Sequence, residues 1–589
     1  MMKKILILLI LMCLLAGCGV ESPVDTRIQV SLMNIDGCVA HENALWVTPG
    51  SDAVFTLEMA EGMALATADY TGGYVTQVKD GKVELTLQNV QRPVRVNLTL
   101  TSDYATITYD PNGAEGETVV KTYDKTYHKR PNTENGQALF ARPGYTLVCW
   151  NTEPDGSGTR VGLGSRVTAE EPVTLYAQWL PWTDASQFTY RKTQYNTLTI
   201  VDYTGEDEIL VIPERIDGYR VSIINGLAFE DCSAKQVILP STLDRIAPDA
   251  FKNAALESAV IFDNLQQISD DTFSGCENLR TLYINAAEAP FGYDYRKESM
   301  YADKVDLLIL AQGQRKMVFY GGCSTWYNLD GAMTDAMFGD TYTLINLALN
   351  GTVNAEIQMQ ILSPYLEAGD ILVHPLELTS TKQLLIDLSM GSRDENIWCG
   401  LENNYDLFAL VDLRTVTGEL DSFLRYLEQK KSETDYRDVY RDQHDRLYLD
   451  EFGCIPFRRS QTQDILTDKV LLDESYVNQE AMERLDAHYT AWRDRGVSVY
   501  LTYACVNMDA VPEEQRQNVE RMDSLLREAA ERMNGATLIS YLGDYLYENA
   551  DCYDTNYHLL TAPMLENTAL WLRDLTAAME AAGEWGDAQ

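Results

Sequence analysis

Basic residues are scarce in this chain. Its 589 residues include 47 lysines and arginines against 88 aspartates and glutamates, which gives a formal charge of −41. A surface of this charge repels phosphates and argues against nucleic-acid binding. The 11 cysteines contain no CxxC pair and the 6 histidines have no zinc-ligand spacing, so we expect neither a metal site nor a cofactor. No apolar run reaches the roughly 18 residues of a membrane-spanning helix.

The N-terminus is the most apolar segment. Residues 5–15 follow two lysines and are long enough for a secretory signal, yet too short to span a bilayer. The next residues, Leu15-Ala16-Gly17-Cys18, resemble a bacterial lipobox. The resemblance implies a signal peptide over 1–17 and a lipid on Cys18. We expect an extracytoplasmic protein that is anchored through Cys18 to the bacterial membrane at the cell surface; an ordinary signal peptide with a chance cysteine is the alternative.

Residues 27–103, which follow a tether over 18–26, alternate apolar and polar side chains. The runs are RIQVSLM, DAVFTLEM, KVELTLQNV and VRVNLTLT, with glycine and asparagine between them. A period of two with such punctuation predicts antiparallel strands in a small β-sandwich or barrel. The segment carries no catalytic pattern.

Residues 104–180 contain short aromatic strands between Asn-Gly and Asp-Gly pairs, which are typical of hairpin turns. The segments YDPNG, GYT, DGSG and LYAQW, together with Trp150, resemble the Listeria–Bacteroides repeat of the internalin B type. The resemblance implies a small β-grasp-like module of a bacterial surface protein. We expect it to act as a spacer, without chemistry of its own.

Residues 186–288 contain an internal repeat. Phe229, Phe251 and Phe273 recur every 22 residues, and the short strands QVILP, SAVIF and TLYIN lie between or after them. This period predicts a short leucine-rich-repeat solenoid, and its motif resembles the BspA-like repeats of bacterial surface antigens. The phenylalanines are expected to stack in the core. Two roles stay open: a spacer, or a face that binds a carbohydrate or protein ligand.

Residues 290–589 alternate strands and helices. RKMVFY, YTLINLALNG, DILVHPLE, VSVYLTYACVN and ATLIS are predicted strands, whereas AEIQMQILSPYLEAG, AMERLDAHYTAWRDRG and two later segments are predicted helices. KVDLLIL is expected to be an early strand or arm. The alternation predicts a three-layer α/β domain of the flavodoxin-like kind, with a parallel sheet covered on both faces.

Ser324 follows the first strand of this domain, in Gly321-Gly322-Cys323-Ser324. Ligands of such sheets bind at the carboxyl ends of the strands, so we expect the Ser324 hydroxyl to be exposed there, although a serine also caps helices. The order of Ser324, Asp554 and His558 resembles the SGNH (GDSL-like) hydrolases. The resemblance implies that Ser324 is the nucleophile, His558 the general base and Asp554 the acid that orients it.

Several positions depart from this family. Asp554 lies four residues before His558 instead of three, so Asp551 or a backbone carbonyl is an alternative orienting group. The oxyanion donor is expected at Gly351, with Asn350 or Asn346 nearby. The asparagine of the third block is missing and Glu377 follows that strand. A carboxylate does not stabilise an oxyanion, so Glu377 is left to bind a substrate cation, to pair with an arginine or to be a structural buried acid.

Two functions follow from these patterns. The first is a lipid-anchored serine esterase or O-acyltransferase that acts on acylated envelope or environmental carbohydrate. The second is a surface adhesin that binds through its repeats and carries a degenerate hydrolase-like domain. Cys323 competes with Ser324 as the nucleophile, since a thiolate at a helix N-terminus attacks well. Trp326 and Tyr327 are expected to pack in the core or, as the alternative, to stack on a sugar ring.

Overall fold

The computed structural model describes residues 27–33, 38–70, 74–79, 81–101, 104–125, 133, 139–169, 171–287, 300–349, 355–378, 395–401, 404–415, 419–432, 449–455, 458–463, 465 and 469–585. The expected signal peptide, the expected tether with Cys18, and the oxyanion candidates Asn350 and Gly351 lie outside these residues. The chain divides into two compact units. The first comprises Met1–Ile107 with Val119–Asp124, and the second comprises Thr108–Thr118 with Lys125–Gln589.

The first unit contains two four-stranded sheets that share one apolar core. Its strands are β1 (Ile28–Met33), β2 (Cys38–Ala40), β3 (Ala44–Val47), β4 (Ser51–Met59), β5 (Ala64–Ala68), β6 (Tyr74–Lys79), β7 (Lys82–Val90) and β8 (Val94–Thr101); β9 (Tyr104–Asp110) continues into the second unit, and β10 (Val119–Asp124) returns to the first. The sheet orders are β3-β1-β8-β5 and β2-β4-β7-β6. Each of the four predicted runs forms a strand.

One pairing in this unit differs from the expected antiparallel arrangement. Strands β1 and β8 run parallel, with Val30 opposite Val94 and Leu32 opposite Val96. A short turn forces the antiparallel direction only on the two strands that it joins. Because β1 and β8 are connected through the other sheet, no hairpin sets their relative direction.

The repeat at the start of the second unit is built on β11 (Tyr145–Asn151), β12 (Arg160–Val161) and β13 (Val173–Pro181), which pair antiparallel. Gly156 has a φ of 80°, and Asn112 and Gly113 have φ of 44° and 91°. The Asp-Gly and Asn-Gly turns predicted from the sequence are therefore confirmed. Trp150 is fully buried and meets Tyr109 edge-on, with 4.9 Å between ring centroids.

The solenoid follows, with a parallel sheet in the order β16-β19-β21-β22. Its strands are β14 (Phe188–Lys192), β15 (Leu198–Tyr203), β16 (Ile209–Val211), β17 (Arg215–Ile216), β18 (Tyr219–Ile224), β19 (Gln236–Ile238), β20 (Arg245–Ile246), β21 (Ser258–Phe262) and β22 (Thr281–Asn285). Phe229 stacks on Phe251 at 4.7 Å, and Phe251 stacks on Phe273 at 5.5 Å. The phenylalanine core predicted from the 22-residue period is confirmed.

One face of this parallel sheet is covered by the preceding repeat. Val211, Ile238 and Val260 are adjacent on β16, β19 and β21, and all three are buried. Val148 of β11, together with Leu180 and Trp182 at and after the end of β13, packs against them. The amide of Ala286 also donates to the carbonyl of Leu163. This sheet face, a candidate ligand surface, is therefore an internal contact of the second unit.

The rest of the second unit alternates helices and strands. The helices are α1 (Met300–Leu310), α2 (Cys323–Asn328), α3 (Gly331–Phe338), α4 (Ala355–Leu362), α5 (Glu395–Gly400), α6 (Glu419–Ser432), α7 (Gln479–Arg493), α8 (Val519–Arg532) and α9 (Thr561–Ala582). The strands are β23 (Lys316–Phe319), β24 (Thr343–Asn346), β25 (Ile371–Leu376), β26 (Ser498–Tyr503), β27 (Val506–Asn507), β28 (Thr537–Leu538) and β29 (Leu546–Tyr547). No helix of the described residues is long and apolar enough to cross a membrane.

Five of these strands form a parallel sheet in the order β24-β23-β25-β26-β28. Every residue of β23 and β25 is buried, so both faces of the sheet are covered, as parallel sheets require. The expected parallel sheet with intervening helices is present in the described chain.

The expected strand in KVDLLIL is wrong, because the segment belongs to helix α1. Asp303 and Asp306 lie three residues apart, which places them on one helix face. Arg166 belongs to the Listeria–Bacteroides repeat. Its guanidinium contacts both carboxylates at 2.5 and 2.7 Å, and all three side chains are buried. A contact from a distant segment therefore favours a helix where the apolar run alone indicated a strand.

Candidate active site

The candidate residues gather at the carboxyl ends of the parallel strands. Strand β23 leads through Gly321 and Gly322 into α2, and β25 leads directly into Glu377. Strand β26 leads to Cys505, which follows Ala504. A backbone hydrogen bond joins the segments that follow β23 and β24, because the amide of Leu349 donates to the carbonyl of Gly321. This edge of the sheet is where ligands bind in open α/β folds.

The two glycines permit close approaches of neighbouring side chains. A side-chain carbon on Gly322 would lie 2.6 Å from both carboxylate oxygens of Glu377. One on Gly321 would lie 2.5 Å from the hydroxyl oxygen of Thr325. Real side-chain carbons do not make such contacts, so any other residue forces the neighbours to move. The Gly-Gly pair thus brings the turn and Glu377 together.

Ser324 is completely buried, and the expected exposure of its hydroxyl is wrong. Its Oγ donates to Oε1 of Glu377, and its amide donates to the same oxygen at 3.1 Å. Glu377 therefore covers Ser324 and occupies both its hydroxyl and its amide. Burial raises the pKa of Glu377 above its ordinary value, and these hydrogen bonds partly oppose the shift.

Asp554 and His558 meet across a tight turn. Nδ1 of His558 lies 2.7 Å from Oδ1 of Asp554, so the four-residue spacing allows the contact. The amide of Tyr553 donates to the carbonyl of His558, which closes the turn between them. Asp551 instead accepts from the amide of Glu548. Of the two acids considered from the sequence, the structure brings Asp554 to the imidazole.

The His558 turn is attached to the helix that carries Ser324. The imidazole lies flat on the ring of Tyr327, with centroids 3.6 Å apart and planes inclined by 3°. Asn328 donates to the carbonyl of Tyr557 at 2.8 Å and accepts from the amide of Leu559 at 2.9 Å. Residues three apart are neighbours on a helix, so Tyr327 brings His558 to the face of α2 that holds Ser324. Tyr327 is a core residue, as expected, and its partner is the histidine.

Arg459 was not predicted from the sequence. It is buried, donates to the carbonyl of Tyr327 at 2.6 Å and lies with its guanidinium carbon 5.3 Å from the centre of that ring. Its backbone amide donates to Thr561 at the start of α9. Burial lowers its pKa to about 10, which leaves it charged at neutral pH. No local sequence pattern predicts this role for Arg459, because its partners Tyr327 and Thr561 lie about 100 or more positions away in the chain.

Other candidate residues lie elsewhere or serve the core. Asn346 donates to the sulfur of Cys454 and accepts from the amide of Ala348. Cys323 is half-buried and directly precedes Ser324. The described cysteines are all free thiols. Within the described chain, no group of three or more His, Cys, Asp or Glu side chains is arranged to hold a metal ion.

Two segments of the chain match models of known protein families. Residues 106–178 match the Listeria-Bacteroides repeat domain, and residues 212–294 match the BspA type leucine-rich repeat region in six copies. Both repeats are typical of bacterial surface proteins. The two repeat families predicted from the sequence are therefore confirmed.

Individual relatives cover small parts of the chain. A protein of Evansella cellulosilytica, provisionally named a membrane protein, is 50% identical over 48 residues, which are 8% of this chain and 7% of that protein. A leucine-rich repeat protein of T. pallidum is 21% identical over 17% of this chain and 70% of its own, with a TM-score of 0.14. A leucine-rich cell surface protein of Faecalibacterium prausnitzii A2-165 is 21% identical over 18% of this chain and 42% of its own. Its TM-score is also 0.14. The two family matches show that the chain contains a Listeria-Bacteroides repeat domain and a BspA-type leucine-rich repeat region.

Proposed function

We propose that this protein is a lipid-anchored bacterial surface esterase or O-acyltransferase of the SGNH type, acting on acylated envelope or environmental carbohydrate. The observation that carries the proposal is the Asp554–His558 pair, which stacks on Tyr327 one helical turn from Ser324. The strand order β24-β23-β25-β26-β28 is that of flavodoxin-like sheets, which supports the three-layer assignment. Lipidation of Cys18 rests on the lipobox pattern alone.

The proposed chemistry assigns each group a step. Ser324 attacks the acyl carbonyl, and the resulting acyl-enzyme is cleaved by water or by an acceptor hydroxyl. His558, oriented by Asp554, exchanges protons during these steps. Gly351 is the proposed backbone oxyanion donor, with Asn350 beside it. Arg459 holds Tyr327 and so supports the ring on which His558 lies.

Hydrolysis of an aryl acetate tests this function. The full chain is assayed as wild type, Ser324→Ala, His558→Ala and Asp554→Asn, each checked for native unfolding behaviour. We expect turnover by the wild type, loss of about 10²-fold or more in Ser324→Ala, and reduced turnover in the other two variants. A folded wild type without turnover, or with turnover that survives Ser324→Ala, contradicts the proposal.

A second candidate is a non-catalytic adhesin, and the burial of Ser324 beneath Glu377 favours it. The covered sheet face of the solenoid does not offer the binding surface. The first unit exposes apolar side chains instead: Trp46 on β3 is 55% exposed and Val39 on β2 is 66% exposed. Glycan and matrix-protein binding by wild type and Trp46→Ser distinguishes this candidate, because an adhesin that binds through Trp46 loses binding while its fold is retained.

A further inference from the structure

The carboxylate of Glu377 is the group in direct contact with the hydroxyl of Ser324. Glu377 directly follows β25, and its Oε1 accepts from both the hydroxyl and the amide of Ser324. A hydroxyl carries one proton, so the proton that Ser324 donates to Glu377 is not donated to His558. A general base must lie within hydrogen-bond reach of the proton it removes, and Glu377 meets this requirement in the resting structure.

The position of Glu377 is built into the fold. Its carboxylate lies so close to Gly322 that a side-chain carbon there would stand 2.6 Å from both carboxylate oxygens and would displace Glu377 from this position. Its Oε1 accepts from the amide and from the hydroxyl of Ser324, which fix its orientation. A carboxylate that the Ser324 amide holds and that lies close against Gly322 is pre-organised toward the hydroxyl, which proton transfer in a catalytic site demands.

We propose that Glu377 is a catalytic residue that accepts the proton of Ser324, while the Asp554–His558 pair serves the leaving alcohol and the attacking water. The proposal rests on the acyl chemistry of Ser324 described above and changes the first proton acceptor.

The proposed steps balance. Oγ of Ser324 forms a bond to the acyl carbon, its proton passes to Oε1 of Glu377, and the carbonyl electron pair moves to oxygen. The tetrahedral species collapses, and the imidazolium of His558 protonates the departing alcohol. Water then attacks the acyl-enzyme and gives a proton to His558. On the second collapse the proton of Glu377 returns to Ser324, so ester and water become acid and alcohol.

The electrostatics of the site agree with this division. A charged carboxylate beside the nucleophile opposes an oxyanion, and proton transfer to Glu377 removes that charge as the oxyanion forms. The same transfer weakens the acceptor that holds the Ser324 amide, which frees that amide for the oxyanion. Burial raises the pKa of Glu377 toward the range of an effective base. Asp554, 2.7 Å from Nδ1, stabilises the imidazolium of His558.

The thiol of Cys505 stays neutral. Cys505, two residues after β26, interacts electrostatically with Glu377 and with Cys323. Burial raises the pKa of Cys505 well above its ordinary value, so it carries no charge near neutral pH. Cys505 therefore adds no titration of its own to the activity profile near neutral pH.

Hydrolysis of 4-nitrophenyl acetate by the full chain tests the assignment. The variants are Glu377→Gln, His558→Gln and, as a matched control, Glu367→Gln, which removes the carboxylate before β25 that pairs with Lys316. We expect Glu377→Gln to lower kcat by about 100-fold or more, with KM within about threefold, and Glu367→Gln to match the wild type. A Glu377→Gln variant that keeps kcat within threefold, or raises it, overturns the assignment.

The pH profile provides a second readout if Glu377→Gln fails to fold. In the proposed scheme the acid limb of kcat/KM belongs to Glu377 and the alkaline limb to His558. We expect His558→Gln to retain the acid limb of its residual activity and to lose the alkaline limb. If His558→Gln loses the acid limb, the assignment of Glu377 as the first proton acceptor is wrong, whereas the proposed function stands. Turnover that does not depend on Ser324 overturns the proposed function and this inference together.

Discussion

The imidazole of His558 lies parallel to the ring of Tyr327, at 3.6 Å between centroids. The plane of the imidazole is set by this stack, and its Nδ1 edge is set by Asp554. The two contacts come from different parts of the chain, one from α2 and one from the turn before α9. Together they leave the imidazole a single orientation relative to the helix that begins at Cys323.

The stack gives a test of His558 positioning. We expect Tyr327→Phe to retain Ser324-dependent turnover, because the aromatic face is kept. Tyr327→Ala is expected to lower kcat by about tenfold or more with little change in KM, since the imidazole loses its support. Steady-state kinetics of both variants decide this. Equal activity of Tyr327→Ala and Tyr327→Phe contradicts a positioning role.

The neighbouring cysteine provides the control for the nucleophile. We expect Ser324→Ala to abolish esterase activity and Cys323→Ala to keep most of it, because neighbouring residues at a strand-to-helix turn point in different directions. The assay is run with and without a thiol alkylator. Activity that survives Ser324→Ala and disappears on alkylation assigns the nucleophile to Cys323 instead.

Lys304 predicts a specific dependence of stability on pH. It is completely buried, donates to the carbonyl of Ala348 at 2.6 Å, and burial lowers its pKa to about 7. The unfolded chain keeps this proton up to about pH 10.4, so unfolding takes up a proton between these values and stability rises with pH. We expect Lys304→Met to exceed the wild type in stability most at pH 7 and below.

Urea unfolding at pH 7, 8 and 9 measures this effect. The difference between Lys304→Met and wild type is expected to shrink by up to about 1.4 kcal/mol for each pH unit. The exposed Lys235, exchanged for methionine, provides the control, and its difference from the wild type should stay nearly constant. A constant difference for Lys304→Met shows that burial does not perturb this lysine.

The buried pair between the repeat and α1 predicts a large loss of stability. Arg166→Met leaves Asp303 and Asp306 buried without their cation, which typically costs about 3–5 kcal/mol. The triple variant Arg166→Met/Asp303→Asn/Asp306→Asn should recover much of the loss. Arg414→Met, which breaks the exposed pair with Asp412, should change stability by less than about 1 kcal/mol.

Denaturant unfolding of the full chain, followed through the transition of the second unit, measures the stability of these three variants. If Arg166→Met is no more destabilising than Arg414→Met, the buried contact between the repeat and the helix does not stabilise the protein.

Membrane attachment is tested at Cys18. Cys18→Ser is expected to release or mislocalise the protein, because the acyl chains supply the membrane affinity. Metabolic labelling with palmitate and cell fractionation measure this. A wild-type protein that takes up no palmitate contradicts the lipobox assignment.

Short-range patterns predicted much of the fold. The four alternating runs of the first unit became β1, β4, β7 and β8, and the Asp-Gly and Asn-Gly pairs formed turns with positive φ. The 22-residue spacing of Phe229, Phe251 and Phe273 led directly to their stack. These features depend on side-chain alternation, turn chemistry and repeat period, which are properties of neighbouring residues.

The candidate site was only partly predictable for the same reason. Ser324, Asp554 and His558 stand in short motifs, whereas Arg459 and the stacked Tyr327 owe their positions to contacts with distant segments. The place of Glu377 over Ser324 depends on how closely β23 and β25 approach, which Gly322 permits. No local pattern specifies that distance.

Composition and motif order thus indicated an acidic, multidomain protein with the repeats of bacterial surface proteins and a parallel sheet. These features could be predicted because hydrophobic periodicity and turn residues determine structure among neighbouring residues. Only the tertiary structure decided which surfaces are occupied. Trp182 covers Ile238 and its neighbours on the solenoid sheet. Residues Met300–Leu310 form a helix whose Asp303 binds Arg166. The Ser324 hydroxyl is buried beneath Glu377. Each outcome depends on complementary shape and charge between segments distant in sequence, which periodicity within either segment does not encode.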